Sequence, residues 1–557
     1  MGVPGLFSWI GRNYRKEVIL KMIPREDPID HFYIDFNGLI HFCHERMDIL
    51  MLKDKTEDEI EKAFIDQIMK YLQKVIFMIK PRKSITICVD GSVPMAKNHL
   101  KRLKREKSKF IWKIRDELSR RYGISEDVVF DDENITAGTK FMYNLENCLE
   151  IAIKSRYFGP IPIKLSKSDE VGEGEHKIMD SIKNSKYRKD ERTCIYCGDG
   201  DIIMLTLTLE NHKIYVMKEP HEYEKEVNEM EYYGMEKLSD CIFKEMRQVM
   251  TNKKVDTKDI LKDRLLKDFV FICFFLGNDF IYGLPQLTIM TGGIETLFDV
   301  YSECFKDINY GKRTREYILD VNYMINSNFF GKIIEILSLR EIGDLRAVAK
   351  NRKPHLKKQY DSEYEMEEWK ISRVAYNPFF SRYSEVINYE EENWKQKYIE
   401  LYFGDENMDE ICVNYLEGII FVKNLYFKLE TSWTWYKPYY SSPFVSDLKL
   451  FLPKISINDI HLEAGKPLNL IEQLMIVLPK RSFHLLPKCL EDEMNGERFN
   501  KFYPERYEWM AWDKVMVSTV EPKLPLLDLQ LYKEVYERNR DFFSEEEKKR
   551  DVIIDEK

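Results

Sequence analysis

Seven carboxylates in the first 280 residues are placed for chemistry: Asp35 in YIDFNG, Asp90 in TICVDG, Glu173 and Glu175 in GEGEH, Asp199 and Asp201 in GDGDI, and Asp279 in GNDF. Most of the 95 acidic residues read as solvated helix faces. These seven instead end or flank apolar runs, mostly beside glycines that let a backbone approach a ligand closely. So dense a set repels itself unless cations hold it together. Hard oxygen donors suit Mg²⁺ or Mn²⁺, and seven carboxylates exceed what one ion needs. Two ions about 3.5–4 Å apart stabilise both the attacking and the leaving oxygen of an in-line phosphoryl displacement. Only His176 and Cys197 lie near these acids in sequence, too few for a zinc site. Each fragment alone is weak, since GEGEH also reads as a polar turn and a lone D-x-D is common. Together they point to a two-ion centre for phosphate esters.

Starting seven residues beyond Asp90, Lys97, Lys101, Lys104 and Arg105 follow at i, i+4, i+7 and i+8, one face of a helix. Arg102 would point sideways. From Lys97 to Arg121 there are eleven Lys or Arg against three Asp or Glu, a local surplus of eight. A solvated basic helix is the bland alternative, but the position beside Asp90 fits an anion-binding face. The whole chain carries −9, which is the wrong scale for nucleic-acid binding because electrostatic footprints are local.

The elements that must position these groups are legible. His31 to Phe36, Ser84 to Val89 and Thr193 to Tyr196 read as buried strands, and Glu57 to Ile79 as a helix with three- and four-residue apolar spacing. Alternation of this kind predicts an α/β sheet covered by helices. Asp35, Asp90 and Asp199 then sit at carboxyl ends of strands, where open α/β sheets bind ligands. Residues 1–350 read as a domain holding the metal site and the basic face, 351–369 as a charged linker or insertion, 370–543 as a second region, and 544–557 as a charged, fraying tail.

The chain has 557 residues, enough for more than one core. Its longest apolar stretch, Phe269 to Leu276, is far too short to span a membrane. The start lacks a signal-peptide pattern. Ten unpatterned cysteines fit reduced thiols, with Cys194 and Cys197 as core residues. These features favour a cytoplasmic setting, with a nuclear one as the alternative.

Taken together, the motifs resemble the Xrn family of 5′→3′ exoribonucleases. MGVPGLFSWI, YIDFNGLIH, VDGSVPMAK, VGEGEHKIMD, YCGDGDIIML and FVFICFFLGNDF carry the likeness in the first region. YLEGIIFVKNLYF, SWTWYKPYYSSPFVSDL, EQLMIVLPKRSFHLLP, FYPERYEW and LPLLD carry it in the second. The resemblance implies a PIN/FEN-like nuclease core with a mixed, largely parallel sheet flanked by helices, plus a second α-rich region packed against it. It implies a compact member without the family's long C-terminal extension. The seven acids match the family's metal ligands, and Lys97, Lys101, Lys104 and Arg105 its pocket for a 5′-monophosphate. His41 matches a residue that stacks on the terminal base with a tryptophan, either Trp433 or Trp435, with Trp435 favoured. Lys101 and Lys104 stand where glutamine and arginine are usual, which keeps charge but loses the bidentate fork.

The implied activity is Mg²⁺- or Mn²⁺-dependent release of mononucleotides from single-stranded RNA bearing a 5′-monophosphate. The implied state is a monomer, with no membrane and with a decapping or RNA-processing protein as partner. Two other readings compete. A structure-specific 5′ DNA nuclease of the flap type shares the acids, but FIYGLPQLTIMTGGIETLFDVY lacks a paired G-x-G hairpin. A non-catalytic RNA-binding scaffold is disfavoured because all seven acids are present.

Overall fold

A computed structural model describes residues 2–47, 55–123, 130–210, 213–220, 230–351, 359–383, 387–427, 429–512 and 514–554. Seven strands form one sheet: β1 (Ile19–Leu20), β2 (His31–Asp35), β3 (Ser84–Cys88), β4 (Ile163–Ser166), β5 (Arg192–Tyr196), β6 (Lys213–Lys218) and β7 (Glu231–Gly234). Their order is β1-β7-β6-β5-β2-β3-β4. The strands from β6 to β4 run parallel, whereas β7 and β1 pair antiparallel at the edge. The sheet is therefore mixed and largely parallel, as the sequence led one to expect.

Every residue of β2 is buried, which explains its near-continuous apolar run: helices cover both faces. Alternate side chains feed two cores. Phe32 and Ile34 join Phe64, Leu72 and Leu145 on one face. Tyr33 and Ile195 join the other, which continues into Phe421 and Tyr426 of the Met408–Phe427 helix. The second region is thus fused to the first through a shared apolar interior. After β2 the chain moves to β3 and β4 on one side, then returns to β5 on the other. The crevice at the carboxyl ends of β2 and β5 is the topological switch point, the usual ligand position in open α/β sheets.

The basic stretch forms one 27-residue helix, Met95–Arg121, free of Gly and Pro and started by Pro94. Its entry is pinned to the second region by three bonds: Ser92 Oγ to Leu468 O (2.6 Å), Val93 N to Gln473 Oε1 (2.9 Å) and Met95 N to Trp433 O (2.9 Å). Arg102, 2% exposed, points off the basic face and donates to Phe502 O (2.7 Å) and Pro525 O (2.9 Å). A buried guanidinium on two carbonyls locks the helix against the second region.

Two charged stretches carry structure of their own. In 351–369, residues 352–358 lie outside the described residues, and Glu363–Ile371 is a helix capped by Ser362. Tyr364 of that helix meets Ser119 of the basic helix at 3.2 Å. The tail is held in place up to Ile554. Ser544 makes a capping box with Glu547 that starts the Glu545–Arg550 helix. Asp551, buried, accepts from Ile471 N (2.8 Å) and Tyr536 OH (2.5 Å), and Arg550 donates to Gly138 O. The charges that look solvated in sequence are the anchors.

Candidate active site

Four short segments deliver six of these acids. Asp35 is the last residue of β2, and Asp90 follows β3 by two residues. Glu173 immediately precedes the Gly174–Lys183 helix and Glu175 sits in its first turn, where the helix dipole favours anions. Asp201 opens the Asp201–Leu207 helix just after β5, and its N–H donates to Asp199 (3.2 Å). Close approach depends on glycine: a β-carbon at residue 174 would lie 2.6 Å from Asp35 Oδ1, so glycine lets the start of this helix sit against Asp35. Gly174 N also donates to Asp90 Oδ1 at 2.8 Å.

Carboxylate oxygens then converge in overlapping groups whose ligand atoms all lie within 4.8 Å of one another. Asp35, Asp90 and Glu175 make one, and Glu175, Asp199 and Asp201 another; Glu173 joins Glu175 and His176 in a third. Glu175 is common to all three. The donor set is oxygen-rich and suits a hard divalent cation. Asp35 Oδ1 is buried without a hydrogen-bond partner among the described residues, an orphaned anionic oxygen that a cation would satisfy.

Asp279 stands outside these groups. Its Oδ2 is held by Lys97 Nζ at 3.0 Å and Lys104 Nζ at 3.6 Å. Lys97, only 6% exposed, also pairs with Glu173 at 2.6 Å, so one ammonium bridges two acids that were grouped as metal ligands from sequence. Lys101 reaches Asp90 at 3.5 Å. Arg105 lies one turn further on, against Glu133 (2.5 Å) and Thr136. All four cations share the helix face turned toward acids, while Arg102 does not.

His41 is exposed on the Phe36–His44 helix, and no ring of the described residues stacks on it. Trp435 is engaged elsewhere. Its ring stacks on Phe421 (4.8 Å between centroids) and its Nε1 donates to Glu417 at 3.0 Å.

Sequence reasoning missed three groups that touch these acids. Asn37 Oδ1 accepts from Asp90 N (3.0 Å), Cys197 Sγ donates to Asp35 Oδ2 (3.5 Å), and Tyr426 OH donates to Asp201. Asn37 and Cys197 lie within the motifs and were findable. Tyr426 comes from 225 residues away with no sequence signal. We expect Tyr426→Phe to free Asp201 and raise the metal concentration giving half-maximal activity about 10- to 100-fold, the usual scale for groups that orient ligands. Excess metal should restore the rate, whereas loss of rate at every metal concentration would mean a role other than ligand orientation.

Electrostatics divide the cluster. Burial, then the charges of Asp90 and Asp199, push Asp35 up to about 7. Burial and then Asp199 push Asp201 up to about 6, and burial with Glu173 drives Glu175 well above its usual range. Burial alone would raise Asp90 too, but Lys101, the Gly174 N–H and Lys97 outweigh it and hold it low. Burial is likewise overcome at Asp279 by Lys97 and Lys104. Raised carboxyls contribute stability that is present at low pH and lost as pH rises through the folded value. Without metal, Asp35 should therefore cost stability as pH rises to about 7 and Asp201 as it rises to about 6, with Glu175 acting in the same direction, and metal binding should release protons. Removing divalent metal with EDTA is expected to lower the melting temperature more at pH 8 than at pH 5.5. A drop of equal size at both would contradict this assignment.

Comparison with known proteins fits what the site defines, a nuclease-type acidic centre. Residues 1–220 match the family model described as XRN 5'-3' exonuclease N-terminus, and residues 259–377 and 381–556 match the Xrn1 helical domain. The chain belongs to the Xrn family. It is 25% identical to "5'-3' exoribonuclease 2" of Arabidopsis thaliana, over 92% of this chain and 66% of that protein. It is 26% identical to "5'-3' exoribonuclease 1" of Homo sapiens, over 99% of this chain and 35% of that protein. The chain thus spans between about one third and two thirds of these relatives. Among solved structures, the catalytic core of Rad2 in complex with DNA substrate aligns at 14% identity and a TM-score of 0.28, over 56% of this chain and 72% of that chain. No helix among the described residues is long and apolar enough to cross a membrane.

Proposed function

We propose that this chain is a divalent-metal-dependent 5′→3′ exoribonuclease that removes mononucleotides from single-stranded RNA carrying a 5′-monophosphate. The observation that carries the reading is the pair of carboxylate triads sharing Glu175, faced by the cationic side of the Met95–Arg121 helix. Named relatives are 5'-3' exoribonucleases, which favours RNA over the flap-type DNA reading. A scaffold without chemistry has no observation in its favour.

Asp35, Asp90 and Glu175 would hold one Mg²⁺ or Mn²⁺, and Glu175, Asp199 and Asp201 a second. When bound, such ions activate a water and stabilise the departing 3′-oxygen. The chain does the rest. Asn37 and Gly174 fix Asp90, and Tyr426 fixes Asp201. Lys97 is kept charged: burial would depress it, but Glu173 and Asp279 hold it well above its ordinary range. It serves as internal counter-ion to the acids and, with Lys104, would meet substrate phosphate. Lys101 and Arg105, with the Thr136 hydroxyl, would complete a pocket for one phosphate. Caps and triphosphates are rejected by bulk and excess charge.

For the terminal base, exposed His41 offers one stacking face. Since Trp435 is packed on Phe421, we assign the other face to Trp433, whose carbonyl accepts from Met95 at the start of the basic helix. Stacking of this kind selects unpaired strands without reading sequence. The working form is a monomer in the cytoplasm, with a decapping or RNA-processing protein as partner.

The test is hydrolysis of one RNA with a 5′-monophosphate, 5′-triphosphate or 5′-hydroxyl. The monophosphate should be strongly preferred. Lys101→Ala or Arg105→Ala should shrink that preference roughly 10- to 100-fold, the worth of one hydrogen bond to a charged group. Equal losses on monophosphate and hydroxyl ends would show a general backbone contact instead.

A further inference from the structure

Arg105, the last cation of the basic face, is held by a short segment that supplies none of the clustered acids. Its Nε pairs with Glu133 Oε2 at 2.5 Å, and its Nη2 donates to the Thr136 hydroxyl. Arg481, from the Lys480–Leu485 3₁₀ helix of the second region, takes the other oxygen of the same carboxylate, Nη2 to Oε1 at 3.0 Å. Glu133 is 2% exposed. One buried carboxylate thus joins two guanidiniums, one from each region of the chain.

The segment that carries this acceptor is bonded to itself. Asp131 accepts from Glu133 N at 3.1 Å and starts the Asp132–Asn134 3₁₀ helix. The Thr136 hydroxyl donates to Glu133 O at 2.7 Å, and that of Thr139 to Asn134 O at 2.6 Å. Both groups that grip Arg105 therefore sit on one internally braced turn.

A guanidinium presents five N–H groups in a fixed fork. With Nε against Glu133 and Nη2 on Thr136, the fork has one orientation and Nη1 is left over. Nη1 is buried and has no hydrogen-bond partner among the described residues. A buried charged donor without an acceptor is costly, and an anionic oxygen arriving beside Lys101, one helical turn away, would supply one. Glu133 must stay ionised to hold the fork. Burial pushes it up to about 7; Arg105 pulls it down, Asp132 adds to the rise, and Arg481 pulls it down again.

We propose that Glu133 and Arg481 are positioning residues for recognition of the 5′-monophosphate: Glu133 fixes the Arg105 fork with Nη1 free for the terminal phosphate, and Arg481 anchors that carboxylate from the second region. The inference rests on the assignment of Arg105 to that phosphate. Neither residue touches the substrate; both act through Arg105. A hydroxyl end offers Nη1 no acceptor, so a misaimed fork changes the choice between ends and not the chemical step.

The test uses the full chain with Glu133→Gln or Arg481→Gln, each alone and combined with Arg105→Ala. Glutamine at 133 keeps the shape but sets an amide against one guanidinium. KM and kcat are measured on one RNA bearing a 5′-monophosphate or a 5′-hydroxyl. Preference for the monophosphate should shrink roughly tenfold in Glu133→Gln and roughly threefold in Arg481→Gln, through KM. Rates on hydroxyl-ended RNA should stay within about twofold of the parent. In the Arg105→Ala background neither substitution should reduce the preference further. The Arg481 side chain is 34% exposed, so its variant decides the question if Glu133→Gln fails to fold. Equal losses on both ends, or a loss of preference that persists without Arg105, would overturn the positioning role and leave a structural one. Unchanged preference in either variant would remove that residue from the proposal. Unchanged preference in Arg105→Ala alone would overturn the phosphate assignment and the inference with it.

Discussion

Glu175→Gln is expected to slow RNA hydrolysis by at least about 10³-fold while RNA affinity stays within a few-fold. Glu175 is the one side chain shared by all three carboxylate groups, so its loss disables both proposed ion positions at once. The amide keeps size and packing but donates where a cation needs a second anionic oxygen. The basic face of the Met95–Arg121 helix is untouched, so binding should survive. Because Glu175 is buried beside Glu173 and strains against ionisation, the metal-free variant should be as stable as its parent or more so. Single-turnover hydrolysis with parallel binding measurements separates the two effects. Parental rates in the variant would remove Glu175 from the centre.

Lys97→Met should act mainly on stability and only then on activity. Lys97 bridges Glu173 and Asp279 inside the protein, at 2.6 and 3.0 Å. Removing one member of a buried ion cluster leaves the others uncompensated, a cost of about 3–5 kcal/mol. The cost should be largest at pH 8 without divalent metal, and smaller where the orphaned carboxylates can take up protons. Adding Mg²⁺ should return part of it by replacing the lost positive charge. Urea unfolding with and without EDTA checks this. A variant as stable as the parent in EDTA would show that the lysine does not neutralise the acids.

What the sequence disclosed and what it hid follow from range. Strands buried on both faces announce themselves as runs such as HFYID and TICVD, and the acid just past each run marks the sheet's carboxyl edge. The Glu57–Ile79 helix follows its apolar spacing to the residue. The basic helix is legible because nothing between Pro94 and Arg121 interrupts it. Contacts between distant segments carry no such signature. Tyr426 on Asp201, Arg102 on the Phe502 and Pro525 carbonyls, and Asp551 on Ile471 and Tyr536 are products of packing. Composition misled at the tail, where charge usually means solvent, yet Arg550 and Asp551 are buried and bonded. At SWTWYKPYY two tryptophans look alike in sequence, and only packing shows that Trp435 stacks on Phe421 and donates to Glu417.

Metal-dependent exonucleolysis from the 5′ end of RNA is the activity proposed for this chain. Its most direct test follows the products formed from a 5′-monophosphorylated single-stranded RNA labelled uniformly along its length, with Mg²⁺ or EDTA, beside a DNA strand of the same sequence. The expected result is 5′-mononucleotides as the first and only small products, from RNA, and only with the metal. Internal fragments, cleavage of DNA in preference to RNA, or undiminished hydrolysis in EDTA would contradict it.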